Sequence, residues 1–419
     1  MNRSGNYSEY ENSFNEMYLS STGGYIVAGD FASQYINTES GQSVNVQPRY
    51  KDAIILNASD SENKAIWSVS FGGNRNDSIS TIKETADGGF IVGGYFESTS
   101  ITFNNGIVIS NANTNYSKDA FVVKYNINRE VEWAKSIGST KNEEVTDIIQ
   151  TQNGEYIAIG KFTSNEISIG EDRLVKNTAD TTYNDNMIFK LDSDGNFVWA
   201  KSIAGDKDDQ ILKIHQTKTN GFAIAGNFNS RELKLTNDIT INNVSTSDTG
   251  YDSIVARFDE DGNIEWYDII SGVLNENVVD VVVSKDDHVS VVGTYNGEYL
   301  RLSDGEIFVN KSTNKNNTDA FVVNYDNLGN ISWISEISGD LIEEAYTIEE
   351  TFEDKIMING GSTSFKKGVN FNDKTKIFGT NTGLVKIGIV CKYELDGTII
   401  IGDGFGFTHN HVIEDYENR

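Results

Sequence analysis

The chain of 419 residues has one proline, one cysteine, four histidines and no long apolar run. A single cysteine, Cys391, excludes a disulfide framework and any cysteine-built zinc cluster. It lies in an apolar run, IGIVCKY, with no histidine nearby to make it a nucleophile, and reads as a small buried hydrophobe. Basic residues are also scarce. Lys and Arg number 34 against 62 Asp and Glu, a net charge of -28. That balance excludes the clustered positive footprint of a nucleic-acid binder and repels anionic lipid. Membrane insertion is excluded too, because no segment approaches the ~20 continuous apolar residues of a spanning helix. The start, MNRSGNYSEYENSF, is polar and shows no signal peptide. Among the histidines, only His409 and His411 share a strand face, near Glu414 and Asp415; exposed side chains are the expected reading there.

What is present is a repeat, which must be sought before any local reading. Trp67, Trp133, Trp199, Trp266 and Trp333 are the five tryptophans, spaced by 66, 66, 67 and 67 residues. Gly29, Gly94, Gly160, Gly226, Gly293 and Gly360 keep the same metre. One repeat reads as four strands. In the second, residues 78–85 alternate apolar and polar as a half-buried strand does. Asp87-Gly88-Gly89 makes a turn, and 90–96 (FIVGGYF) is an apolar run covered on both faces. Residues 119–126 and 131–137 form a closing hairpin pair. Between 96 and 119 lies a further small hairpin, ITFNNGIVIS, with counterparts such as LKLTNDITI and LRLSDGEIFV. No helical stripe occurs. The expected fold is all-β, a β-propeller of six four-stranded blades of about 66 residues with extra hairpins in the long loops. The repeats run approximately over 10–71, 72–137, 138–203, 204–270, 271–337 and 338–402, within a single domain over 1–419. Residues 403–419 repeat a first strand, and this surplus either helps close the ring or marks a cut from a longer array. Closure is favoured because it leaves no exposed edge.

The order of pieces, GGFIVGGYF, a hairpin with a central glycine, then KDAFVVKYNINREVEWAKSIG, resembles the bacterial β-propeller (SBBP-like) repeats of surface and secreted proteins. The resemblance implies a propeller and an extracellular or cell-surface location. It departs in the sixth repeat, where Ile401 replaces the tryptophan and Ile387 the acid that opens the third strand.

A catalytic or binding residue is needed once, an architectural residue in every repeat. Asp77, Glu143, Asp209, Glu276 and Glu343 each open a first strand. In a propeller they would ring one mouth of the channel as a candidate Ca²⁺ site, since calcium takes 6–8 oxygens. The rival reading, which is favoured, is capping of local N–H groups. Asp52, Asp119, Asp185, Asp252 and Asp319 open the third strands and read as architecture. Lys124, Lys190 and Arg257 are expected to form exposed ion pairs of ~0–1 kcal/mol. The Asp-x-Asp-Gly-Asn runs at 192–196 and 259–263 resemble the opening of an EF-hand loop. Ile203 and Ile270 stand where its twelfth-position acid belongs, so they read as hairpin turns.

The leading functional expectation is a non-enzymatic binding or adhesion module that recognises protein or glycan, a monomeric domain of a larger protein. Its polar, variable loops (NANTNYS, NTADTTYND, NKSTNKNNTD) and its unique sixth repeat carry that expectation. Lys366, Lys367, Lys374, Lys376 and Lys386 there are the candidate contacts in an otherwise acidic chain. The alternatives are a carbohydrate-active enzyme, glycosidase or lyase, with an axial pocket, and a structural spacer. No catalytic residue and no cofactor are assigned beyond the candidate calcium.

Overall fold

The computed structural model describes residues 12–21, 23–45, 49–59, 64–113, 115–170, 174–176, 183–245, 247, 249–310, 314, 317–351, 353–363, 369–371, 375–378, 387–405 and 412–415. Among them there is no helix, so none is long and apolar enough to cross a membrane. Each repeat forms a four-stranded antiparallel sheet in sequence order. In the second repeat the strands are Asp77–Glu84, Phe90–Phe96, Asp119–Tyr125 and Val131–Ile137, with the projecting hairpin at Ser100–Thr102 and Val108–Ser110. The chain divides into two compact halves, residues 1–203 and 204–419, with three such sheets each.

The continuous apolar strands explain how sheets assemble. Alternate residues point to opposite faces. Phe121 and Val123 pack toward the first sheet, against Ile55 and Ile82, while Ala120 and Val122 pack toward the third, against Val145 and Ile148. In the C-terminal half, Val255 and Val278 share one such slab, and Val322 and Ala345 the next. The core is therefore a series of layers between successive sheets.

The periodic glycine has a steric cause. Every first strand carries a β-bulge at one place, as at Ile79/Thr81 and Ile211/Lys213. The bulge turns a carbonyl onto the glycine of the second strand. A Cβ on Gly94 would collide with the Ser78 carbonyl oxygen, and one on Gly226 with that of Gln210.

The tryptophan is equally local in cause. It stands on the fourth strand and reaches the third-to-fourth turn of the next sheet. Trp133 Nε1 donates to Ser193 O at 3.1 Å, Trp266 to Asn327 O at 3.3 Å and Trp333 to Leu395 O at 2.8 Å. Each ring also covers that turn's glycine, Gly195, Gly329 or Gly397, in the left-handed region. In the turns at 192–196 and 259–263, the Asp192 and Asp259 carboxylates accept from N–H groups of their own turn, as hairpin turns require.

Two features differ from expectation. Lys124, Lys190 and Arg257 are buried rather than exposed. Lys124 lies 2.8 Å from Asp87, Lys190 2.7 Å from Glu155, and Arg257 2.6 Å from Asp287. Their alkyl stems fill space between strands while the charged ends reach acids at the second-strand turn. The surplus segment Val412–Asp415 pairs antiparallel with Thr375–Phe378, in the projecting hairpin of the sixth repeat. The first sheet has its own first strand, Ser13–Leu19.

Gly226→Ala should cost about 1–3 kcal/mol through overpacking against the bulge, and Trp266→Ala about 3–5 kcal/mol through the void between two sheets. Urea midpoints check both. A midpoint unchanged by Gly226→Ala would overturn the steric account of the repeat.

Candidate functional site

The acids that open first strands sit at the junctions between sheets. Asp77, Glu143, Asp209, Glu276 and Glu343 are each at most 1 % exposed. Asp77 accepts from Ser98 Oγ at 2.7 Å, Ser98 N at 3.2 Å and Gly73 N at 2.9 Å. Asp209 accepts from Ser230 Oγ at 2.7 Å and from the Ser230 and Asn229 N–H groups. Glu143 takes Ser164 Oγ at 2.5 Å and Ser139 N at 2.9 Å; Glu343 takes Ser362 Oγ at 2.8 Å. Donors surround these oxygens, the setting of a capping group. A calcium shell is built from acceptors. Among the described residues, no three His, Cys, Asp or Glu side chains are grouped to hold a metal ion.

The third-strand aspartates meet these acids across the junctions. Asp52 faces Asp77, Asp119 faces Glu143 and Asp252 faces Glu276. Burial, reinforced by the neighbouring acid, pushes Asp77 and Asp119 up to about 7. Burial likewise raises Asp209 to about 7 and Asp252 to about 6. Glu276 is the extreme, at about 9, through burial first and Asp252 second. Its exceptional value has a sequence cause: Gly297 stands where Ser98, Ser164 and Ser230 donate to the equivalent acids.

The lysines proposed as contacts do not gather into a site. Lys366, Lys367, Lys374 and Lys386 lie outside the described residues, as do His409 and His411. Lys376 lies on Thr375–Phe378, in register with Asn370 on one side and Glu414 on the other.

The site the structure does show is a cleft of about 990 Å³ between the first two sheets. One wall is the outer strand of the first sheet, with Ser68, Val69 and Ser70. Opposite stand the projecting hairpin of the second repeat, with Asn104 and Asn105, and the Tyr125–Val131 turn. Two of its residues break the repeat. Arg129 occupies the turn position that is Gly195, Gly262, Gly329 or Gly397 elsewhere, and holds φ at 66°. A side chain in that region costs roughly 1–2 kcal/mol relative to ordinary backbone. Its guanidinium lies over the Trp67 ring, 4.9 Å from the centroid, and no ion pair engages it among the described residues.

The second is Val69. Tyr325 donates its hydroxyl to Asp268 at 2.8 Å, and the Tyr393 hydroxyl lies 3.1 Å from Ser335 Oγ. Asp268 and Ser335 each stand two residues beyond the tryptophan of the preceding sheet; the same place in the first sheet is Val69. Tyr125, 2 % exposed and lining the cleft, therefore has a buried hydroxyl with no partner among the described residues. None of Tyr125, Val69 and Arg129 was a candidate from sequence. The signal for Arg129 was legible as INREVEW against SDGNFVW and EDGNIEW, an arginine where glycine recurs.

No family model matches the chain, and no curated protein matches it. The likeness to SBBP-like repeats therefore rests on the quoted motifs. Among solved structures, a protein of unknown function from Bacteroides caccae is 7 % identical, with a TM-score of 0.38 over 84 % of this chain and 90 % of that one. Sqt1 from Chaetomium thermophilum is 8 % identical, with a TM-score of 0.38 over 95 % and 97 %. The extracellular domain of a hybrid two-component system from B. thetaiotaomicron is 8 % identical, with a TM-score of 0.15 over 91 % and 61 %. Likenesses this weak assign neither a family nor a function.

The junction acids set a pH dependence. Their folded pKa values exceed the ordinary carboxyl range, so between about pH 4 and pH 9 the folded state binds more protons than the unfolded state. Stability then falls as pH rises through that window. The urea midpoint should increase from pH 8 to pH 5, and Glu276→Gln should flatten the upper part of the slope. A midpoint that falls steadily from pH 8 to pH 5 would overturn this account.

Proposed function

We propose that this chain is a non-enzymatic binding module of a bacterial secreted or cell-surface protein, built as a six-bladed propeller, and that it takes its ligand in the cleft beside Arg129. The observation that carries this reading is the coincidence of the cleft with residues that break the repeat. Arg129 keeps a left-handed backbone that glycine adopts at little steric cost, and it does so at the rim of the cleft. Strain of this kind concentrates at ligand sites. Binding is favoured over hydrolysis because the lining carries a single carboxylate, Glu130, hydrogen-bonded by Asn126 at 3.1 Å. A glycosidase needs two facing carboxyls. The surface location is carried by the resemblance to surface-protein repeats.

Closure of the propeller is supported by the first strand. Phe14 and Met17 are 53 % and 64 % exposed, whereas Ile79 and Ile82, at the same registers of the second sheet, are fully buried. That apolar ridge lacks the neighbouring sheet that covers its counterparts, and ring closure supplies one. If so, Phe14→Glu with Met17→Glu should lower stability by about 2–4 kcal/mol, as charges forced into a core do. A loss below ~0.5 kcal/mol, typical of surface positions, would overturn closure.

Binding is tested on an array of glycans and matrix proteins. The intact chain should capture at least one ligand. Arg129→Gly should lose it while leaving stability within about 1 kcal/mol, because relief of the left-handed backbone offsets the lost ring contact. A variant with Ser at Lys366, Lys367, Lys374, Lys376 and Lys386 should retain it. Capture lost only in the lysine variant would move the site to the sixth repeat, and no capture at all would favour a structural spacer.

A further inference from the structure

The binding reading leaves the ligand's chemistry open, and the cleft's floor narrows it. Tyr125 presents a buried phenol with nothing to donate to. An unpartnered hydroxyl of this kind costs of the order of a hydrogen bond. The other repeats show two remedies: an acceptor on the preceding outer strand, Asp268 or Ser335, or no hydroxyl, as with Phe258 and Leu191 at the same position. The second repeat has neither. The direction of the phenol follows from its counterparts, which reach the outer strand of the preceding sheet; here that strand is the cleft wall, with Val69 at the point of contact.

The remaining lining sets the charge and polarity of the occupant. It carries one cation, Arg129, and one anion, Glu130. Around them stand the hydroxyls of Ser68 and Ser70 and the side-chain amides of Asn104 and Asn126. A lining balanced in charge has no preference for an ion, and the chain's net charge of -28 repels an anionic ligand from a distance. Sugar hydroxyls answer every group present. Each is both donor and acceptor, so it can receive from the phenol and from Arg129 and donate to Glu130. The volume is also in the range of small-ligand sites.

We infer that the cleft between the first two sheets is a lectin-like subsite for a neutral oligosaccharide, with Tyr125 Oη donating to a sugar oxygen at its floor and Arg129 holding vicinal hydroxyls at its rim. This rests on the binding reading of the same cleft. It adds a positioned donor, Tyr125, and a reason for its orphaned state, Val69.

The test is isothermal titration of the whole chain with cellotetraose, maltotetraose and mannotetraose, and with tetragalacturonate as the charged counterpart. At least one neutral sugar should bind. Raising NaCl from about 0.05 to about 0.5 M should change its affinity less than about twofold, because no net charge is paired. Tyr125→Phe, which matches Phe258 of the fourth repeat, should weaken binding about five- to tenfold, the effect of one hydrogen bond. Val69→Asp should supply the internal acceptor that Asp268 provides elsewhere, so that binding is lost and the melting temperature is kept or raised. Tighter, salt-sensitive binding of tetragalacturonate would overturn the neutral-ligand inference, as would full affinity in both Tyr125→Phe and Val69→Asp. If no sugar binds but a protein is captured in a manner sensitive to Arg129→Gly, the glycan inference falls and the binding reading stands. If Arg129→Gly leaves capture of every ligand unchanged, both fall.

Discussion

Each sheet of this protein is apolar on both faces, and that single constraint organises the rest. A sheet with one apolar face can float on a core; a sheet with two must be enclosed by a neighbour on either side. The second and third strands are nearly continuous apolar runs for this reason. The tryptophan, far from its own sheet's centre, serves the same end by reaching to the turn of the next sheet. Phe14 and Met17 make the constraint visible by exception, since they carry the apolar pattern of a covered strand at exposed positions.

Enclosure has an electrostatic consequence. The links between sheets must pass through a dry zone, and polar backbone groups there need partners. The acids at the starts of the first and third strands supply them. Burial then raises the energy of their ionised forms, so local satisfaction of N–H groups is obtained with carboxyls that titrate near neutrality. Serine hydroxyls soften this at Asp77, Glu143 and Asp209. Where Gly297 replaces the serine, Glu276 keeps its proton to about 9. The acidity of the chain is thus partly internal, which weakens any inference from net charge to partner.

A repeat also makes departures informative. Arg129 and Val69 are ordinary residues in isolation. Against the glycines at 195, 262, 329 and 397, and against Asp268 and Ser335, they leave a strained turn and an unpaired phenol on opposite sides of one cleft. The sixth repeat departs more visibly in sequence, and attention went there first. A departure in composition is conspicuous, whereas a departure in complementarity appears only when both partners are in view.

The spacing of the tryptophans and glycines, the apolar runs and the turn residues were sufficient to determine six four-stranded antiparallel units, their strand limits to within a residue in the second repeat, and the architectural standing of every tryptophan. These are local properties, set by period and turn chemistry along the chain. The burial of Lys124 and Arg257, the pairing of Asp252 with Glu276, and the meeting of Tyr125 with Val69 were decided by tertiary structure. Each joins residues 24 to 56 positions apart across a sheet or between two sheets. No periodicity encodes which side chain will stand opposite which, because that depends on how one bulged and twisted sheet is set against the next.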